Sequence, residues 1–251
     1  MSVWRDEQKA GKYILTPFEF FKRHRKCASG ILLLDGKFLK IRGEERCEHL
    51  AFDTNIWLVN SRMDDTENST AYWHMYAQLK AAGYPLRAIV SDGHSGISKL
   101  TVEERIPHQR CVFHLLQDFR FSLGLKEDEI SGNWILFQRL RYILMSPTLE
   151  KLVQNLEFFR KYTSLLFQHK KSISKWFYRN LEAATMHFSF AGGDVPRANN
   201  QMENFIGNIE QRLKTMKGFK SEIAAKNTLY TAQLTFEHIV ASRRQKLAKY
   251  V

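Results

Sequence analysis

Long apolar runs are missing from this 251-residue chain. The longest, such as Ile31 to Leu34 and Trp134 to Phe137, are far too short to span a bilayer, and none near Met1 could act as a signal sequence. Cysteine is scarce as well. Cys27, Cys47 and Cys111 form an odd set without framework spacing, which argues against a disulfide scaffold and for reduced thiols in a reducing compartment. Neither an internal repeat nor a low-complexity segment occurs. Acidic residues are in deficit, 26 against 38 Lys and Arg. These absences predict a soluble, intracellular protein without a membrane partner.

What remains is a globular composition. Hydrophobic residues make up 44% and aromatics 13%, enough to fill a core in a chain of this length. The charge balance of +12, with a pI near 9.6, points to a polyanionic partner, nucleic acid first. Positive charge is clustered at residues 22–26, at Arg139 and Arg141, from Arg212 to Lys220, and from Arg243 to Lys249. A solvated basic face that only adds solubility is the plainer alternative.

Residues 1–29 show no clear periodicity beyond Phe18, Phe20 and Phe21 and are read as a lead-in. A strand is predicted from Gly30 through Asp35 to Leu39, a charged turn at 42–46, and strands at 50–52 and 56–59, together an antiparallel meander. Ser69 can cap a helix with Tyr72, Trp73, Tyr76 and Leu79 on one face, ending near Gly83. Residues 86–90 read as a buried strand reached by a helical crossover, and 110–114 as a fifth strand passing into a helix. From 115 to 195 helical patterning dominates, at 134–144, 149–162 and 173–184, until Gly192-Gly193-Asp194-Val195-Pro196 breaks it. A helix over about 200–217 presents Met202, Phe205, Ile206, Ile209, Leu213 and Met216 as its buried face and stops at Gly218. A last helix starts near Ser221 and carries Leu229, Phe236 and Ile239. This order predicts an α/β, ribonuclease-H-like mixed five-stranded sheet flanked by helices. Residues 30–114 form the first part of that core, 115–196 an all-helical insertion, and 197–251 the second part.

Three motifs carry the chemistry. Leu32-Leu33-Leu34-Asp35-Gly36 and Ile89-Val90-Ser91-Asp92-Gly93 each place an aspartate at or just past the end of a buried strand, and Asn199-Asn200-Gln201-Met202-Glu203-Asn204 places a glutamate in the first turn of an amphipathic helix. Strand-end carboxylates escape the covered faces of a sheet, so a hard divalent cation can reach them and keep its waters. A two-metal phosphodiester site uses such a set. Each motif also has a plainer reading. Asp-Gly is a common turn pair, and Asn200-x-x-Glu203 fits a variant capping box. Asp35 and Asp92 lie 57 residues apart and Asp92 and Glu203 lie 111 apart, so an inserted subdomain must fill the second interval.

Basic and aromatic residues extend the candidate surface. In the helical stretch Trp134, Trp176, Phe177 and Tyr178 lie among Arg139, Arg141, Lys170, Lys171, Lys175 and Arg179. An aromatic with flanking cations can stack on an unpaired base, or it can simply pack helix on helix. Arg212, Lys214 and Lys217, on and after the glutamate, are candidate phosphate contacts. His94 either touches a phosphate or lies in a surface loop.

Taken in order, Asp35-Gly36, Ser91-Asp92-Gly93 with Gly96-Ile97, Cys111-x-x-His114, and Asn199-Asn200-x-x-Glu203-Asn204 with Arg212 and Lys217-Gly218 carry a resemblance. Over roughly residues 30–240 the chain resembles the catalytic core of Mutator-type DDE transposases, the enzymes of bacterial insertion sequences and their eukaryotic relatives. The resemblance implies that Asp35, Asp92 and Glu203 hold two Mg²⁺ or Mn²⁺ ions and catalyse DNA strand cleavage and strand transfer of a mobile element without a covalent enzyme intermediate. It implies transposon ends and target DNA as partners, and a homo-oligomer on that DNA. The compartment would be the nucleoid-associated cytoplasm of a bacterium or the nucleus of a eukaryote. Cys111 and His114 do not complete a tetrahedral zinc site by themselves. With His24-x-x-Cys27 they would make a composite one; otherwise Cys111 is a small buried residue and His114 packs beside the active site. Only 29 residues precede the first strand, whereas similar transposases carry an upstream DNA-binding domain, so recognition of specific terminal repeats is not expected of these residues. Arg197-Ala198 also stands where similar sequences have threonine before the paired asparagines. Two readings compete: a nuclease or resolvase of the same fold that cuts without strand transfer, and a truncated or repurposed transposase that only binds DNA or partner proteins.

Overall fold

The structure, a computed structural model, describes residues 6, 8–10, 15–125, 132–168, 171–190, 194–213 and 218–232. Helix α1 (Pro17–His24) lies in the segment read as a lead-in. Thr16-Pro17-Phe18-Glu19 opens it with a capping box: the Thr16 hydroxyl accepts from the Glu19 N–H and Glu19 Oε2 from the Thr16 N–H, with proline at the first helical position. Phe21 is buried against Tyr84, ring centroids 5.5 Å apart, while the basic residues 22–26 that follow are exposed.

Strands β1 (Ile31–Ile41), β2 (Glu44–Asp53) and β3 (Trp57–Asp64) form the expected meander. Pairing of β1 with β2 runs from Leu32 opposite Asp53 to Ile41 opposite Glu44, so the turn shrinks to Arg42-Gly43 and residues 44–46 join the strand. Both turn residues take positive φ, the backbone of a two-residue hairpin whose twist matches the strands. Helix α2 (Ser69–Ala81) is capped by Asn68 rather than Ser69, the Asn68 side chain accepting from the Ala71 N–H at 2.9 Å. Its buried face is Tyr72, Met75, Tyr76 and Leu79, with Met75 taking the place expected for Trp73 because 72, 75, 76 and 79 follow the helical repeat.

After β4 (Ala88–Ser91) and α3 (Ser95–Glu103), the short β5 (His108–Arg110) completes a sheet in the order β3-β2-β1-β4-β5. This is the ribonuclease-H-like mixed sheet flanked by helices. Strand β5 ends earlier than the sequence suggests, since Val112, Leu115, Leu116 and Phe119 make one face of a helix, α4 (Val112–Ser122), and not an alternating strand.

The chain divides into two compact units, one of Met1–Ile89, Ser95–Glu104 and Asn200–Val251, the other of Val90–His94 and Arg105–Asn199. In the second, α4 packs with α5 (Gly132–Leu144), α6 (Leu149–Gln168) and α7 (Lys171–Thr185) around a core that includes Phe119, Leu140, Phe159 and Phe177. In the first, α8 (Asn200–Leu213) buries Met202, Phe205 and Ile209, with Phe205 4.9 Å from the Phe52 ring on β2, while Ile206 is half-buried. The Leu213 side chain, Met216 and the Gly192-Gly193 break lie outside the described residues. Gly218, at φ +99°, lets Phe219 run beside β1: its N–H donates to the Lys40 carbonyl and its carbonyl accepts from the Arg42 N–H. A Cβ at position 218 would fall 2.9 Å from the Lys40 oxygen, so glycine is required there. Helix α9 (222–232) buries Leu229, and Phe236 and Ile239 lie outside the described residues. Among the described residues no helix is long and apolar enough to cross a membrane.

Candidate active site

Asp35 sits within β1, the fifth of its residues, and not at its end. The apolar run Ile31–Leu34 ends there and burial falls from full to partial, but hairpin pairing with β2 carries the strand on to Ile41. Strand alternation puts Asp35 and Lys37 on one face, the face that also carries Leu33 and its cross-strand partner Phe52. Helix α8 packs on that face, Phe205 against Phe52 and Glu210 in an ion pair with Lys37. Glu203 stands in the first turn of α8, two turns before Glu210 and on the same flank. Asp35 therefore precedes Lys37, and Glu203 precedes Glu210, along two elements that advance together. Both carboxylates are half-buried. The helix opens at Asn200, which makes Glu203 its fourth residue and Asn199, fully buried, the residue before it.

Asp92 follows directly on β4, at the strand end where the sequence places it. Its turn is closely tied. Asp92 Oδ1 accepts from the His94 N–H at 2.8 Å, the Ser91 hydroxyl accepts from the Gly93 N–H at 3.2 Å, and Ser91 Oγ lies 2.8 Å from His108 Nε2 on β5. Burial, aided by the Arg110 charge, pushes the His108 imidazole down to about 4, so it is neutral at ordinary pH and serves as a hydrogen-bonding partner without adding charge. Gly93 itself has φ +95°.

Cys111 is fully buried immediately before α4, and its N–H donates to the Ser91 carbonyl at 2.6 Å. His114 is half-buried in the first turn of α4. His24 and Cys27 are exposed at the end of α1 and in the 3₁₀ turn Arg25–Cys27 after it. Trp134 is half-buried on the helical core with its ring 5.7 Å from Phe137, the packing role of an α5 aromatic. Arg212 belongs to α8, but its side chain, with Lys214 and Lys217, lies outside the described residues.

Sequence reasoning began the fifth strand at Arg110 and so left His108 and Gln109 out of the site. His108 and Arg110 both reach the Asp92 turn, while Gln109, facing the other way, donates to the Ala184 carbonyl and accepts from the His187 N–H at 2.8 Å each. A three-residue strand gives no periodicity to reveal this. The only available signal was its position directly before Cys111-x-x-His114.

An α/β sheet of ribonuclease-H-like order, with carboxylates on β1, after β4 and on a late helix, defines the class. Residues 19–238 match the Mutator family of transposases, and the chain belongs to that family. No curated protein sequence matches it.

Proposed function

We propose that Asp35, Asp92 and Glu203 form one three-carboxylate site and that the protein cuts DNA strands at the ends of a mobile element and joins them to target DNA. The observation that carries this reading is topological: one aspartate lies in β1, the other directly follows β4, its neighbour in the sheet, and the glutamate comes from the helix packed on the Asp35 face of β1. The donor set suits Mg²⁺ or Mn²⁺, since all three groups offer hard oxygen ligands and remain half-buried, open enough for water and substrate. A pair of such ions supplies activation of water or a 3′-hydroxyl and stabilisation of the leaving oxygen. The chain's own part is to hold the ligands. The His94 N–H fixes one Asp92 oxygen, the paired strands fix Asp35, and the Phe205–Phe52 contact fixes the start of α8. Family membership makes DNA the partner, and the exposed basic residues 22–26 and the net charge of +12 favour phosphate contacts whose strength falls steeply with salt. A homo-oligomer assembled on the DNA completes the proposal.

The test is cleavage of an element-end duplex in Mn²⁺ by wild type, Asp35→Asn and Asp92→Asn. Nicking and strand transfer by wild type, with neither in the folded variants, is expected. Nicking without transfer would make the protein a nuclease of the same fold, and equal activity in the variants would remove the carboxylates from the chemistry.

A further inference from the structure

Arg110 is the best-held cation around the Asp92 turn. It closes β5, and its side chain is largely buried. One guanidinium nitrogen meets Asp118 on α4 at 2.7 Å, another meets Asn180 on α7, and the plane lies over the Trp176 ring, 5.4 Å from its centroid. Nε is buried and, among the described residues, has no hydrogen-bond partner. That orphaned edge lies against Gly93: a Cβ there would fall 2.5 Å from Nε and 2.8 Å from Cζ. Burying a guanidinium edge against a backbone turn without a hydrogen bond is costly.

The adjacent groups explain what the contact does. Asp92 and the Arg110 charge attract each other across the turn. From the same edge strand, His108 holds Ser91 through its hydroxyl. Alternate residues of β5 thus brace the residues on both sides of Asp92, Ser91 before it and Gly93 after it. Gly93, at φ +95°, has the widest choice of backbone conformation in the turn. The guanidinium fills the space a side chain would need and stops the turn from folding inward.

We infer that Arg110 is a positioning residue for Asp92, a rigid planar brace that keeps the Asp92 carboxylate turned outward for a divalent cation. The inference rests on the reading of Asp92 as a metal ligand. Groups that orient a ligand in this way commonly change metal affinity roughly ten- to a hundred-fold when altered. Lysine would retain the charge and lose the plane, so it separates the brace from the electrostatics.

The test titrates Mn²⁺ into full-length wild type, Arg110→Lys, Asn180→Ala and Phe159→Leu and follows the thermal unfolding midpoint. Expected for Arg110→Lys is a Mn²⁺ concentration for half-maximal stabilisation raised about ten-fold. Asn180→Ala keeps the guanidinium but removes one of its anchors, and should give a smaller rise. Phe159→Leu, in the same helical core and away from the turn, should lower the metal-free midpoint while leaving the Mn²⁺ response as in wild type. If Arg110→Lys does not fold, Asn180→Ala decides. A wild-type Mn²⁺ response in the decisive variant overturns the brace, and so does an equal weakening in Phe159→Leu. A wild type that ignores Mn²⁺ overturns the metal reading itself and the inference with it, an outcome separable from the others because it needs no variant.

Discussion

Asp53 and Asp92 each stand where a strand gives way to a turn, yet their surroundings are opposite. Asp53, the last residue of β2, is 0% exposed and surrounded by donors: the N–H groups of Ser29, Gly30, Asn55 and Ile56, the Ser29 hydroxyl, and the Tyr84 hydroxyl at 2.6 Å. Such a carboxylate has its oxygens committed to the fold and none left for a cation. Asp92 is half-buried, and among the described residues one hydrogen bond, from the His94 N–H, reaches its carboxylate, against the many donors around Asp53. A strand-end aspartate is thus not a metal ligand by position alone. On the proposed reading of Asp92, a structural acid has its oxygens saturated by donors and a metal-binding one keeps them open. A third acid sharpens the contrast. Glu48, on the same strand as Asp53, is also 0% exposed, but among the described residues neither of its oxygens meets a donor in good hydrogen-bond geometry, the Ser61 hydroxyl lying only nearby.

Removing Asp53 should have the largest effect. Asp53→Ala strands several buried donors at once, each costing about 1–3 kcal/mol, so a loss on the order of 4 kcal/mol is expected in urea unfolding. An effect under about 1 kcal/mol would mean that the Asp53 hub is not what holds the β2–β3 corner.

Glu48 comes next and acts in the opposite direction. Burial pushes its carboxyl from the usual 4.5 up to about 7, with Ser61 and Lys226 nearby holding it down only in part. The folded state keeps the proton up to about 7 whereas the unfolded chain releases it near 4.5. Stability from this group is therefore intact below 4.5 and is lost as pH rises through that window. Glu48→Gln should be more stable than wild type by about 3 kcal/mol at pH 8, with the gap closing towards pH 4.5. A gap that does not change with pH would refute the buried charge.

Tyr84→Phe, which removes one donor from Asp53, should cost about 2 kcal/mol, a typical value for a hydrogen bond to a charged group. Asp92→Asn should shift metal-free stability by no more than about 0.5 kcal/mol, as for substitutions away from saturated buried networks. A large loss there would place Asp92 with Asp53 among the structural acids.

The sequence made the sheet legible because its signals are local. Ile31–Leu34 is a run of buried apolar residues, and the 3.6-residue repeat of α5, α6 and α7 is written in their own side chains. Asp92 and Glu203 fall where their motifs put them. Asp35 shows the limit, since hydropathy marks where the apolar run ends but only the partner strand shows where pairing ends. Helix α1 was legible in principle, from Thr16-Pro17-x-Glu19, but its apolar residues are too few to show a repeat. The Arg110–Gly93 contact was not, because nothing in either residue's neighbourhood tells which distant side chain will fill the space over a glycine.

The central claim, that the third carboxylate is a catalytic ligand and not merely a structural residue of α8, is tested most directly by Glu203→Gln. Glu203 is the fourth helical residue, one past the position a capping box requires, and glutamine matches its size and helix propensity, so the variant should fold with wild-type stability and still bind DNA. A neutral amide is a far weaker partner for a hard divalent cation, so Mn²⁺-dependent nicking of a DNA end should disappear. Wild-type nicking by Glu203→Gln at unchanged stability would contradict the account and leave Glu203 a structural residue of α8.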